Sequence, residues 1–188
     1  MENQRIVAVD IGNSWFKSLI SDQGALYEYQ FPNAVALFDE EFYEEPYDEE
    51  DVLLEENIIV ELNSPSITEK RQVYYARKSA LKMKNVSLTS IHNQKVTEDR
   101  TYTLLFAMMA YHAIQTNPGE TELDFTVDQL AVSLPTTQYK TKKDLFKNKL
   151  LGTHRIVFHK VPGIDAPKEI AVKLHIEDVI IGAEGACA

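Results

Sequence analysis

One cysteine, Cys187, occurs in 188 residues. A lone thiol excludes an internal disulfide framework and a cysteine-based zinc site. No apolar run approaches the roughly 20 residues that a membrane-spanning helix needs. The first residues, Met1-Glu2-Asn3-Gln4-Arg5, lack the basic start and apolar stretch of a secretory signal, so a cytoplasmic protein with no membrane partner is expected. The glycines of a Walker A loop or a Rossmann fingerprint are missing. Ser133 has no Gly-x-Ser-x-Gly elbow around it, and His154, His159 and His175 lack metal-ligand spacing. Positive charge is also in deficit. The net charge is -10, so the overall field repels phosphates and direct nucleic-acid binding is not expected.

What is present is enough for a real core: 44% of the residues are hydrophobic, a normal share for a globular domain of this length. The acid is concentrated between Asp39 and Glu56, which leaves the rest near balance. Phe42, Tyr43 and Tyr47 sit among too many charges there to form a core. Segment 39–56 reads as an exposed, poorly ordered insertion.

Ile6-Val7-Ala8-Val9 is apolar and β-branched, as in a central strand. Gly12-Asn13 marks a turn, Trp15 to Ile20 resumes the apolar pattern, and Asp22-Gln23-Gly24 marks a second turn, giving a β-hairpin. Tyr27 to Phe31 adds a third strand. Ile58 to Leu62 and Gln72 to Ala76 are strand-like, with a polar turn between them. Thr97 to Thr116 predicts a helix, with Thr97 as its cap and Glu98 and Asp99 in the first turn. Leu104, Leu105, Met108, Met109 and His112 form one buried stripe on it. Asp128 to Leu134 reads as a buried strand, Lys140 to Leu150 as a basic helix, and Arg155 to Val161 and Ile170 to Ile176 as strands. This order predicts an α/β mixed sheet that starts as a meander and continues through a helical crossover.

The sharpest chemical pattern is Asp10-Ile11-Gly12-Asn13-Ser14-Trp15-Phe16-Lys17. A carboxylate ends a buried strand, a small polar turn offers backbone N–H groups as a nest for phosphate oxygens, and a lysine follows on the returning strand. Asp10 is suited to hold magnesium directly or through water. An ordinary Gly-Asn hairpin with a surface lysine accounts for the same octapeptide.

This stretch resembles the first phosphate hairpin of the actin, Hsp70 and sugar-kinase superfamily. Phe31-Pro32-Asn33 is similar to the segment that leads into the outer subdomain, and Gln72 to Ala80 to a strand, turn and helix within it. Leu130 to Tyr139, with Pro135, resembles the strand and proline turn of ParM-type plasmid actins. Val179-Ile180-Ile181-Gly182-Ala183-Glu184-Gly185-Ala186 resembles their proline-glutamate-glycine connector, with Ala183 where proline is common.

The resemblance implies an actin/Hsp70-like, ribonuclease H-like fold, of which this chain is the first half. Residues 1–34 and 97–188 would form the inner subdomain and 35–96 a small outer one. It implies ATP (or GTP) with Mg2+, bound through Gly12, Asn13, Ser14 and Lys17 with Asp10 at the metal, and Glu184 orienting the attacking water. It also implies self-association into filaments and a DNA-binding adaptor protein. Glu184 serves equally as an acidic residue favouring a helix start. Other functional classes are a non-polymerising kinase- or chaperone-like ATPase of the superfamily, or a binding module that has lost catalysis. His112, Met108 and Met109 are read as core, and the Lys140–Lys149 face as solvated.

Overall fold

The computed structural model describes residues 4–38, 58–68, 72–76, 78–81, 86–88, 94–161 and 169–184. In chain order the elements are β1 (Ile6–Ile11), β2 (Trp15–Asp22), β3 (Ala25–Pro32), β4 (Ala34–Leu37), β5 (Ile58–Asn63), β6 (Val73–Ala76), α1 (Lys78–Leu81) and β7 (Val86–Leu88). They continue with α2 (Asp99–Thr116), β8 (Glu122–Val127), β9 (Gln129–Leu134), α3 (Thr136–Leu150), β10 (Gly152–Lys160), β11 (Ile170–Ile176) and β12 (Val179–Ala183). The acidic segment 39–56, Gly185, Ala186 and Cys187 lie outside the described residues. No described helix is long and apolar enough to cross a membrane.

The expected meander forms. β1, β2 and β3 pair antiparallel, and Gln23-Gly24 closes the second turn with φ of 50° and 80°. Two successive positive φ values give the mirror-image turn whose twist matches the flanking strands. The crossover is also present: β9 runs parallel to β1, and β12 parallel to β9. The result is a five-stranded mixed sheet, ordered β12-β9-β1-β2-β3. Alternation along β1 buries Val7, Val9 and Ile11 and leaves Ile6, Ala8 and Asp10 outside.

A second, seven-stranded sheet, ordered β7-β4-β6-β5-β10-β11-β8, is not visible in the sequence pattern. It takes β4 to β7 from the region read as the outer subdomain and β8, β10 and β11 from the region read as the inner one. The strand from Asp128 is in fact preceded by β8. The chain changes sheets at Asp128, whose N–H donates to the Arg5 carbonyl at 3.0 Å. β11 and β12 change sheets beside it, and the Glu177 N–H donates to Val127 O at 3.0 Å. Two parallel pairs, β8–β11 and β9–β12, therefore run through both sheets.

α2 fills the space between the sheets. Its His112 bonds to Tyr29 of β3 and Asp22 of β2, while its Phe106 stacks on His154 of β10 at 4.0 Å. The expected single stripe is corrected here: residues 100–110 and 112–114 are all buried, because the helix has a sheet on each side. The expected Thr97 cap is corrected as well. The helix starts at Asp99 with Glu98 at the N-cap position and no side-chain cap, because the Thr97 hydroxyl donates to Gln94 O instead. α3 starts at Thr136, four residues earlier than its basic run, with Pro135 at the N-cap position.

His112 is a core residue, as read. Burial lowers its pKa against the pull of Asp22, which favours the neutral imidazole. Its Nε2–H donates to Asp22 Oδ2 at 3.0 Å and its Nδ1 accepts the Tyr29 hydroxyl at 2.9 Å. Burial alone would raise the Asp22 carboxyl, but Arg5 and His112 hold it below the usual carboxylate range.

Candidate functional site

α2 and α3 cover one face of the five-stranded sheet. The other face carries the Asp10 and Lys17 side chains. Asp10 of β1 stands opposite Lys17 of β2, and both are exposed. Neither makes an ion pair or side-chain hydrogen bond among the described residues. An open trough of about 760 Å³ runs along this face, lined by Asp10, Lys17, Leu19, Ala131, Ser133 and Gly182 among others.

The turn that joins β1 and β2 is built from backbone. The Gly12 N–H donates to Trp15 O at 2.9 Å, and a Cβ on Gly12 would lie 2.7 Å from that same oxygen, so glycine alone fits. Asn33, buried between β3 and β4, clamps the turn from behind: its side-chain amide donates to Gly12 O at 2.8 Å and its N–H to Ser14 O at 2.9 Å. Gly12 thus spends its own N–H inside the turn. Asn13 and Ser14 are exposed, and among the described residues their N–H groups enter no backbone hydrogen bond, so they remain available to an anion.

Glu184 follows β12. Its N–H donates to Leu134 O at 2.8 Å, which fixes its backbone to the end of β9. Its carboxylate meets Lys95 Nζ at 2.7 Å, and the same ammonium donates to Ile11 O, next to Asp10. The sequence-predicted residues are therefore brought to one end of the five-stranded sheet, with Asp10 and Lys17 on its open face and Glu184 linked to the hairpin through one lysine. Lys95 and the Asn33 clamp carry no signal in the sequence. Lys95 sits in a polar stretch without periodicity, and Asn33 reads as part of a chain exit.

Among the described residues, no group of three or more His, Cys, Asp or Glu side chains is placed to hold a metal ion. The lone exposed carboxylate of Asp10 still fits magnesium, which takes one or two carboxylates and completes its shell with waters and phosphate oxygens.

Residues 8–186 match the family described as "Actin like proteins N terminal domain". The chain belongs to the actin-like proteins. Solved actin-like structures superpose on nearly all of it. Apo psk41 ParM protein gives a TM-score of 0.69 at 18% identity, covering 97% of this chain and 50% of that one. Bacillus thuringiensis ParM in apo form gives 0.67 at 20% identity, covering 98% and 46%. The AlfA filament from the B. subtilis plasmid pLS32 gives 0.60 at 17% identity, covering 97% and 57%. The chain thus spans about half the length of these relatives. No curated protein matches it. In this actin-like domain the Asp10–Lys17 hairpin and Glu184 belong to one connected cluster.

Proposed function

We propose that this chain is the N-terminal part of a cytoplasmic, ATP-binding actin-like protein that forms filaments in plasmid DNA segregation. The observation that carries this reading is the juxtaposition at the end of the five-stranded sheet: a free carboxylate and a free lysine on paired strands, a turn with unused N–H groups, and a glutamate tied to that turn through Lys95. Bacillus thuringiensis ParM has been solved with ADP, AMPPNP and ATP, and relatives have been solved as AlfA and ParM filaments. These support nucleotide binding and self-association here.

The roles follow from charge and geometry. The Asn13 and Ser14 N–H groups and the Lys17 ammonium would hold phosphate oxygens, with Gly12 allowing the close turn that presents them. Asp10 would hold Mg2+, which when bound supplies charge neutralisation at the phosphates. Phosphoryl transfer needs positioning more than covalent help, and Glu184 would align the attacking water by accepting a proton-bearing hydrogen bond from it. A DNA-binding adaptor is the further partner this reading requires.

The test uses the complete protein with Mg-ATP, following phosphate release and light scattering together. Wild type should hydrolyse ATP and polymerise. Asp10→Ala should lose magnesium-dependent hydrolysis and keep its fold, and Glu184→Ala should slow hydrolysis by about 10–1,000-fold with little change in nucleotide affinity. Turnover without polymer would assign a kinase- or chaperone-like ATPase instead, and neither activity would leave a binding module. Full hydrolysis by Asp10→Ala would remove the metal role.

A further inference from the structure

Lys95 is 3% exposed. Lysine is among the residues least often fully buried, and a buried ammonium is costly unless it is paired and hydrogen-bonded. Here it is both. Its Nζ donates to Ile11 O and forms the 2.7 Å ion pair with Glu184. The backbone that carries it is fixed in turn. The Thr97 and Glu98 N–H groups donate to Gln94 O, the Val96 N–H donates to Gln138 Oε1 at 3.4 Å, and the Tyr102 hydroxyl donates to Val96 O at 2.6 Å. The ammonium thus sits at the end of an anchored turn, and from there it reaches the phosphate-type hairpin and the Glu184 connector at once. Glu184 stays 38% exposed in its side chain. One carboxylate oxygen is held and the group keeps an open side.

We propose that Lys95 is a positioning residue that locks the Glu184 carboxylate to the carbonyl following Asp10. The residue that aligns water and the hairpin that holds phosphate then keep one fixed relation. The proposal rests on the reading of Glu184 above. Lys95 touches no substrate in this scheme, and its effect passes through Glu184. A flexible glutamate at the end of a strand samples many rotamers. One short ion pair to an anchored lysine removes that freedom before substrate arrives, and such preorganisation acts on turnover rather than on binding.

The experiment is a double-mutant cycle in the complete protein, with kcat and KM for ATP measured for wild type, Lys95→Met, Glu184→Ala and the pair. Lys95→Met keeps an apolar stem of similar length and removes the ammonium. It should lower kcat about 10–100-fold and change KM less than about 3-fold, and the double variant should be no slower than Glu184→Ala alone, because residues acting as a unit are not additive. Lys95→Arg keeps the charge and should retain more turnover than Lys95→Met. Wild-type kcat in Lys95→Met with a lowered melting temperature would make Lys95 a structural clip and overturn the proposal while leaving the Glu184 reading intact. Additive losses would overturn it too, since Lys95 would then act apart from Glu184. Wild-type turnover in Glu184→Ala would sink the Glu184 reading and the proposal with it. Should Lys95→Met fail to fold, Lys95→Arg decides: reduced kcat at unchanged KM in a folded protein supports positioning, and wild-type kcat overturns it.

Discussion

A methyl group added at Gly12 would lie 2.7 Å from a backbone oxygen, which cannot swing aside as a side chain can. Gly12→Ala should therefore cost about 1–3 kcal/mol, in the range of overpacking, and denaturant melts would show it; a loss below a few tenths would mean that the turn reopens freely. His154 gives a second residue-scale expectation. It is fully buried, donates from Nε2 to Leu150 O at 3.1 Å and so accepts the Ser64 hydroxyl at Nδ1 at 2.7 Å. Burial pushes its pKa down to about 4, against the Leu150 bond. The unfolded chain binds the proton first as pH falls, near the ordinary value of about 6.5. The neutral imidazole thus contributes stability that is complete above about pH 6.5 and is lost progressively toward pH 4, about 3 kcal/mol in all. Unfolding free energies at pH 7.5 and pH 4.5 should differ by about 2–3 kcal/mol more in wild type than in His154→Gln; equal differences would contradict the assignment. The sequence offered no cue to this role, because the partners Ser64 and His154 are 90 positions apart. Asp10, Gly12 and Lys17 were legible for the opposite reason: the hairpin brings them together locally. Lys95 meets Glu184 across 89 positions, a distance that no local pattern spans.

At the scale of elements, the hairpin meander and α2 were legible because strand alternation, turn residues and a long apolar run are local signals. The environment of α2 was not. A run such as Leu104-Leu105-Phe106-Ala107-Met108-Met109-Ala110 reads as one buried stripe plus extras until a second sheet is known to lie on the other side. β8 is not separable in the sequence because Glu122, Asp124 and Thr126 alternate with Leu123, Phe125 and Val127 over a span bounded by no glycine or proline on its far side, so it merges with β9. The two-sided burial of α2 has a measurable consequence. Phe106 has no exposed surface, stacks on His154 at 4.0 Å and lies 6.2 Å from the Tyr102 ring. Phe106→Ala should cost about 3–5 kcal/mol by emptying space that neither sheet can move to fill. Equilibrium unfolding in urea measures it, and a cost under about 1 kcal/mol would show that the helix does not bridge the sheets.

At the scale of the whole molecule, the five-stranded sheet is covered on one side among the described residues. α2 and α3 cover one face, and among the described residues the face with Asp10 and Lys17 borders an open trough. Exposed Leu19 and Ile180, 41% and 48% accessible, stand on that same face. A nucleotide held by affinity needs most of its surface enclosed, since small-molecule sites bury 70–90% of their ligand. Here one hairpin would contact the phosphates, and no described residue stands over the trough to cover an adenosine. The charge balance points the same way: among the described residues of the trough a single lysine would face a triphosphate, in a chain of net charge -10. This chain by itself should therefore bind Mg-ATP weakly, with a dissociation constant above about 1 mM, where the binding free energy is only about -4 kcal/mol. Isothermal titration of the chain with Mg-ATP measures this directly, and Lys17→Ala run in parallel separates hairpin binding from non-specific heat. Micromolar binding that Lys17→Ala abolishes would show that the hairpin face encloses a nucleotide without a second wall. Micromolar binding that Lys17→Ala leaves unchanged would place the nucleotide elsewhere on the molecule and remove the hairpin from the site.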